Sequence, residues 1–235
     1  MTARELQSRL KRLARPKDAV FLQRFFKTGP GEYGEGDRFL GIRVPVLRKL
    51  AREACDLPLG QTLRLLHSPF HEARMLALLI LANQMPRAAD NVRRDIYDCY
   101  LDNIAHINNW DLVDVTSPHV VGAYLADRDR RVLDRLARSP SLWERRIAIV
   151  STHWFIRHGE FHDTIRIAGL LLNDTHDLIH KAVGWMLREV GKRDASVLHG
   201  FLGQHCRRMP RTMLRYAIER LPENIRSEYR AGRIG

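Results

Sequence analysis

The chain has 235 residues, with 39 Lys and Arg against 27 Asp and Glu, for a net charge of +12. At 45% hydrophobic and 28% charged it can fill a large core, which excludes a disordered, collagen-like or linker-dominated chain. Cys55, Cys99 and Cys206 lie far apart and form no CxxC, which argues against a disulfide framework or a cysteine zinc site and for a reducing interior.

From the amino terminus, Met-Thr-Ala-Arg-Glu-Leu-Gln-Ser lacks the apolar run of a secretory signal. Leu6, Leu10 and Leu13 then recur with helical spacing. Thr28 to Asp37 is glycine-rich but lacks the Lys-Ser/Thr of a phosphate loop and carries three acids, so it reads as an ordered surface loop. After Pro45 come Leu47, Leu50 and Ala51, then Leu63, Leu65 and Leu66, then Met75, Leu76, Leu78, Leu79 and Leu81. The best apolar run, Met75 to Ala82, is too short to span a bilayer, so a soluble, cytoplasmic chain without a membrane role is expected. Breaks fall at 29–31, Leu57-Pro58, Ser68-Pro69, Met85-Pro86, Ser139-Pro140, Asn173-Asp174, Met209-Pro210 and Leu221-Pro222. Several of these place a capping residue before a proline at the first helical position. Spacings of three and four dominate and hairpin dipeptides are absent, which predicts an all-α chain.

Four segments share a pattern, a cation at the fourth position followed by small or aliphatic residues. They start at His71, Trp143, Leu178 and Thr212, and the cations are Arg74, Arg146, Lys181 and Arg215. Two successive intervals are 35 and 34 residues; the first, 72, is two units with its midpoint at Trp110. A unit of that length is one helix pair of a HEAT-like solenoid, so a single repeat domain over 1–235 with a basic concave groove is expected. Equivalent cations would line up along that groove and match a phosphate backbone. Six of the 39 basic residues are lysine and 33 arginine, whose forked guanidinium suits phosphate.

The densest site candidate is Asn108-Asn109-Trp110-Asp111-Leu112-Val113-Asp114. Either asparagine can cap a helix on which Trp110 and Asp114 are i and i+4, on one face. An aromatic face beside a carboxylate can stabilise a cationic sugar or base; a structural tryptophan with a helix-dipole aspartate accounts for the same spacing. Trp143-Glu144-Arg145-Arg146 is a second aromatic-cation cluster. In a third, Trp185 follows Lys181 by four residues, and Gly184 permits a close approach. Arg188 and Glu189 read as structural ion-pair partners. Eleven histidines are scattered without HExxH spacing, and there is no GxSxG elbow.

Taken in order, Phe39 to Pro45, Trp110 to Asp114, Trp143 to Ala148, Lys181 to Glu189 and Arg211 to Glu219 resemble the DNA alkylation repair family, the AlkD-like DNA glycosylases built from HEAT-like repeats. The resemblance runs from about Val20 through Leu221. It implies excision of N3- and N7-alkylated purines from duplex DNA, without base flipping, by a monomer needing no cofactor and no metal. It implies Asp114 as the catalytic carboxylate and Trp110 and Trp185 as the aromatic pair against the lesion's deoxyribose. Arg146 would hold a nearby phosphate, with Lys181, Arg74, Arg215 and Arg43 as further DNA contacts. Phe25 stands where a family relative can carry a tyrosine at the groove, which removes one polar DNA contact. The alternatives from other classes are a non-catalytic DNA-binding module and a protein-interaction scaffold.

Overall fold

The computed structural model describes residues 1–234, and its regular structure is helical; among these residues there is no strand, only one isolated parallel bridge between Arg38 and Phe70. The chain divides into two compact units, Met1–Tyr124 and the residues from Leu125 onward.

The first unit holds α1 (Ala3–Leu13), α2 (Pro16–Gln23), α3 (Val44–Glu53), α4 (Leu59–Leu66), α5 (His71–Gln84), α6 (Asp90–Asp102) and α7 (Trp110–Ser117). A π-helical turn, Pro118–Gly122, continues α7. Helix α1 starts with a capping box, Thr2 with Glu5, and buries the predicted Leu6 and Leu10. Helix α5 is the centre of this unit: every residue from His71 to Leu81 is buried, and α1, α3, α4 and α7 pack around it. The apolar run Met75 to Ala82 is therefore a core helix. No helix among the described residues is long and apolar enough to cross a membrane.

The second unit holds α8 (Arg131–Ala137), α9 (Leu142–Ser151), α10 (His153–Arg157), α11 (His162–Leu170), α12 (Asp177–Gly191), α13 (Ala195–His205), α14 (Arg211–Ala217) and α15 (Glu223–Ala231). Its packing repeats. Helix α9 packs on α12 and α12 on α14, while α8 backs α9 and α11 and α13 back α12. This is a helical-repeat arrangement at the predicted interval, with an inner row α9, α12, α14. Gly184 serves its expected purpose: a Cβ there would lie 2.5 Å from the Met213 carbonyl oxygen and 2.5 Å from Tyr216 Cβ, so α12 and α14 meet at van der Waals limits.

One local expectation needs correcting. Pro16 and Pro45, outside the predicted breaks, sit in the first turns of α2 and α3; at the breaks, Pro69 and Pro140 precede the N-caps Phe70 and Ser141, and Pro58, Pro210 and Pro222 are themselves N-caps. Their ψ angles of 145°, 140° and 148° are extended, which a cap requires and a first helical residue does not allow.

Candidate active site

In the first unit the site is built around the amino end of α7. Asn109 is its N-cap, fully buried, and its side-chain oxygen accepts from the Trp110 N–H at 2.8 Å. Asn108 is the anchor instead of the cap: its Nδ2 donates to Asp37 Oδ1 at 3.0 Å, and its Oδ1 accepts from Arg74 Nη2 at 3.1 Å. Trp110 is the first residue of α7, and its ring lies 5.5 Å from that of Phe26. Phe26 stacks on Phe39 at 5.2 Å, and both lie beside His71, at 5.1 and 5.0 Å. These rings form one aromatic wall drawn from α5, α7 and the segment between α2 and α3. Asp114 follows on the same helix, half-buried. Its charge bears on the buried Tyr100 hydroxyl, which hydrogen-bonds Thr116 at 3.1 Å and is held well above the usual phenol range, chiefly by burial.

Linked to Trp110 through Phe26 is a cluster of four charged side chains, of which His71, Arg74 and Asp37 are buried and Asp111 is partly exposed. His71 is 4% exposed; its Nε2 hydrogen-bonds Asp111 Oδ2 at 2.8 Å, and its Nδ1 lies 3.7 Å from Asp37 Oδ2, an ion-pair distance. Arg74 Nη2 donates to Asp37 Oδ1 at 2.7 Å. Burial opposes the charge on His71, but the hydrogen-bonded Asp111 and the nearby Asp37 outweigh it and push the imidazole up to about 9. For Asp37 burial is again opposed, here by His71, Arg74 and Asn108, and its carboxyl is held below the usual range. Next to this cluster Glu72 accepts the N–H groups of Leu40, Gly41 and Ile42, with its shortest bond 2.7 Å to Gly41. So the glycine-rich stretch is a surface loop only up to its last acid, since the side chain of Asp37 is buried.

In the second unit, Arg146 donates to the Leu178 carbonyl at the start of α12. The same helix carries Lys181, half-exposed and 2.7 Å from Asp177, and Trp185, half-buried with its ring 5.8 Å from that of His153. Arg215 is exposed over the face of Tyr216. As expected, Arg188 and Glu189 are ion-paired side chains: Arg188 bonds Glu219 and lies 3.8 Å from Glu189.

The four repeat cations therefore hold similar places in their helices but not similar surroundings. Arg74 is the fourth residue of α5, and Arg146, Lys181 and Arg215 are the fifth residues of α9, α12 and α14. Arg74 and Arg146 are each only 4% exposed. The expectation of four cations presented alike to a phosphate backbone is thus corrected for these two. Both terminal nitrogens of Arg74 are engaged, by Asp37, Asn108 and the Ser68 carbonyl, and Arg146 is turned onto α12. Exposed at helix termini or on short segments are Arg43, the N-cap of α3, and Phe25, 59% exposed and packed edge-to-face on Phe21. His71, Asp37, Asn108 and Asp111 were not legible as partners. Their one trace is a His-Glu-x-Arg run opening a helix that is otherwise wholly apolar through Leu81.

The fold has a solved counterpart, a protein described as a predicted DNA alkylation repair enzyme from Enterococcus faecalis. It superposes with a TM-score of 0.68 over 89% of this chain and 97% of that one, at 15% sequence identity. Comparison with curated protein sequences gave no match. The sequence model of the family described as DNA alkylation repair enzyme matches residues 6–221, almost the whole chain, and the protein belongs to that family of DNA-repair enzymes.

Proposed function

We propose that the protein is a DNA glycosylase that hydrolyses the N-glycosidic bond of N3- and N7-alkylated purines in duplex DNA, with Asp114 as the catalytic carboxylate. The observation that carries this reading is the identity of one residue. The fifth position of α9, α12 and α14 is a cation, whereas the fifth position of α7 is Asp114, one turn from an indole. A carboxylate at that place can stabilise a developing positive charge, which the cations at the same place on α9, α12 and α14 cannot.

The chemistry follows from the substrate class. A purine alkylated at N3 or N7 is cationic and departs as a neutral base, so it needs neither a general acid nor a cofactor. The cost lies in the oxocarbenium-like sugar, which an anion at Asp114 stabilises while orienting water. The indole of Trp110 adds cation–π attraction to the same sugar, and Trp185 is the second indole in this reading. Lys181, Arg215 and Arg43, none of them buried, are the phosphate contacts. Arg146 acts one step behind them, holding the start of α12 on which Lys181 and Trp185 stand. No base-holding pocket is needed, because the reaction is driven from the sugar side.

The test is single-turnover base release from methylated duplex DNA by wild type and Asp114→Asn. The substitution keeps shape and removes charge, so release should fall on the order of a hundredfold while duplex binding changes little. Equal rates would remove Asp114 from catalysis. Binding without release by wild type would favour a non-catalytic DNA-binding module, and neither would favour a protein scaffold.

A further inference from the structure

We propose that His71 is a positioning residue for the active-site helix: its imidazolium bridges Asp111 of α7 and Asp37 of the glycine-rich loop, and that bridge sets where Trp110 and Asp114 stand. The proposal rests on the glycosylase reading above.

Helix α7 has only 8 residues, too few to hold its own geometry in isolation. Its first turn is located by a small set of part-buried contacts. Asn109 caps it, Asn108 ties the preceding residue to Asp37 and Arg74, and Asp111 reaches His71. The second oxygen of the Asp111 carboxylate accepts from the Leu112 N–H at 2.8 Å, so this side chain reports directly on the α7 backbone. The charged groups bearing on His71 are Asp111 from α7, Asp37 from the loop and Arg74 on its own helix. Two carboxylates thus face two cations, and the cluster is neutral as a set. Without the imidazolium, Asp37 keeps Arg74 but Asp111 loses the cation it pairs with, and Asp111 must move or take up a proton. Either response shifts Asp111 or the loop. Phe39 follows Asp37 by two residues, and the shift reaches Trp110 through Phe26, whose ring contacts His71, Phe39 and Trp110 alike.

The bridge has a defined pH range. His71 rises from 6.5 in the unfolded chain to about 9 in the folded one. Its stabilising contribution is therefore complete below the unfolded value and is lost as pH rises through about 9.

The experiment measures single-turnover release from a duplex carrying one N7-methylated guanine across neutral and alkaline pH. Uncatalysed loss is subtracted, and duplex affinity is measured at each pH. Wild-type release should fall above neutrality with a midpoint near the His71 value while affinity persists. His71→Gln should be slower at neutral pH by a factor on the order of ten to a hundred and should lack the alkaline fall. His71→Gln combined with Asp111→Asn restores charge balance, so it should recover most of the rate and remain flat with pH. A wild-type profile that is flat through pH 9, or a His71→Gln rate equal to wild type, overturns the proposal. If His71→Gln alone does not fold, the double variant decides by its profile, and if neither folds the wild-type profile decides. Asp114→Asn is run alongside. Release abolished by Asp114→Asn but untouched by His71→Gln defeats positioning alone, whereas no release by wild type defeats the glycosylase reading itself.

Discussion

In the first unit the inner helices are joined by charge: Arg74 and His71 of α5 reach Asn108 and Asp111 at the head of α7, with Asp37 between them. In the second unit the inner helices are joined chiefly by fit, with the Arg146 bond to the Leu178 carbonyl as a polar addition between α9 and α12. Ile147 and Val150 of α9, Val183 and Met186 of α12, and Met213 and Leu214 of α14 are buried apolar residues, and Gly184 lets two backbones nearly touch. The cations there move outward along the row, from buried Arg146 to half-exposed Lys181 to exposed Arg215. The repeat thus fixes where a side chain sits along its helix and leaves open what that side chain does. A buried polar junction holds one geometry strictly and suits a helix that must present a carboxylate, whereas an apolar junction suits a surface that carries charge.

This contrast breaks first at Glu72. Glu72→Ala leaves the N–H groups of Leu40, Gly41 and Ile42 without their acceptor in the interior, and unfolding free energy should drop by about 3 kcal/mol or more. Glu72→Gln should recover part of that loss. Denaturant midpoints at constant m measure both, and a drop below about 1 kcal/mol for Glu72→Ala would mean that these bonds are not what holds residues 40–42 to α5. The second unit is probed by Gly184→Ala, expected to cost about 1–3 kcal/mol because its Cβ meets backbone. The sign is decisive: at Gly200, where a Cβ meets nothing within 4 Å, the same change should stabilise by up to about 1 kcal/mol. The smallest effects belong to the outer cations. Lys181→Ala and Arg215→Ala should each shift stability by no more than about 0.5 kcal/mol, since the Lys181 pair with Asp177 is solvated. Each should also flatten the salt dependence of duplex binding by about one unit of log–log slope. An unchanged slope would take that residue out of the phosphate contacts.

Much of the helical frame was legible because it is local. Heptad-like spacing of Leu6 with Leu10 and of Leu47 with Leu50 reports a buried face whatever that face packs on. The cation pattern at 35- and 34-residue steps found the inner row of the second unit for the same reason. Burial of the cations was not legible, since Arg146 and Arg215 occupy the same place in similar sequences and only the neighbouring helix decides their exposure. The His71 junction was hidden more deeply. Its partners lie 40 residues away at Asp111 and, for Arg74, 37 residues away at Asp37, and no periodicity links such positions. Asp111 is an acid in the first turn of α7, a position that describes its backbone and not the imidazole that it meets.

Helix α2 buries none of its residues, yet it is held in place at its base. The Arg15 N–H donates to the Leu40 carbonyl at 2.7 Å, and Gly41, at φ +78°, lies so close that a Cβ would stand 2.2 Å from the Arg15 carbonyl oxygen. The chain from residue 15 to 41 is thus a closed loop, pinched by backbone and carrying Val20, Phe21 and Phe25 outward. Because loop closure is secured at the pinch and no core depends on α2, its opening involves only local contacts. In hydrogen exchange α2 should therefore open as a low-stability unit of its own and exchange its amides before those of α5.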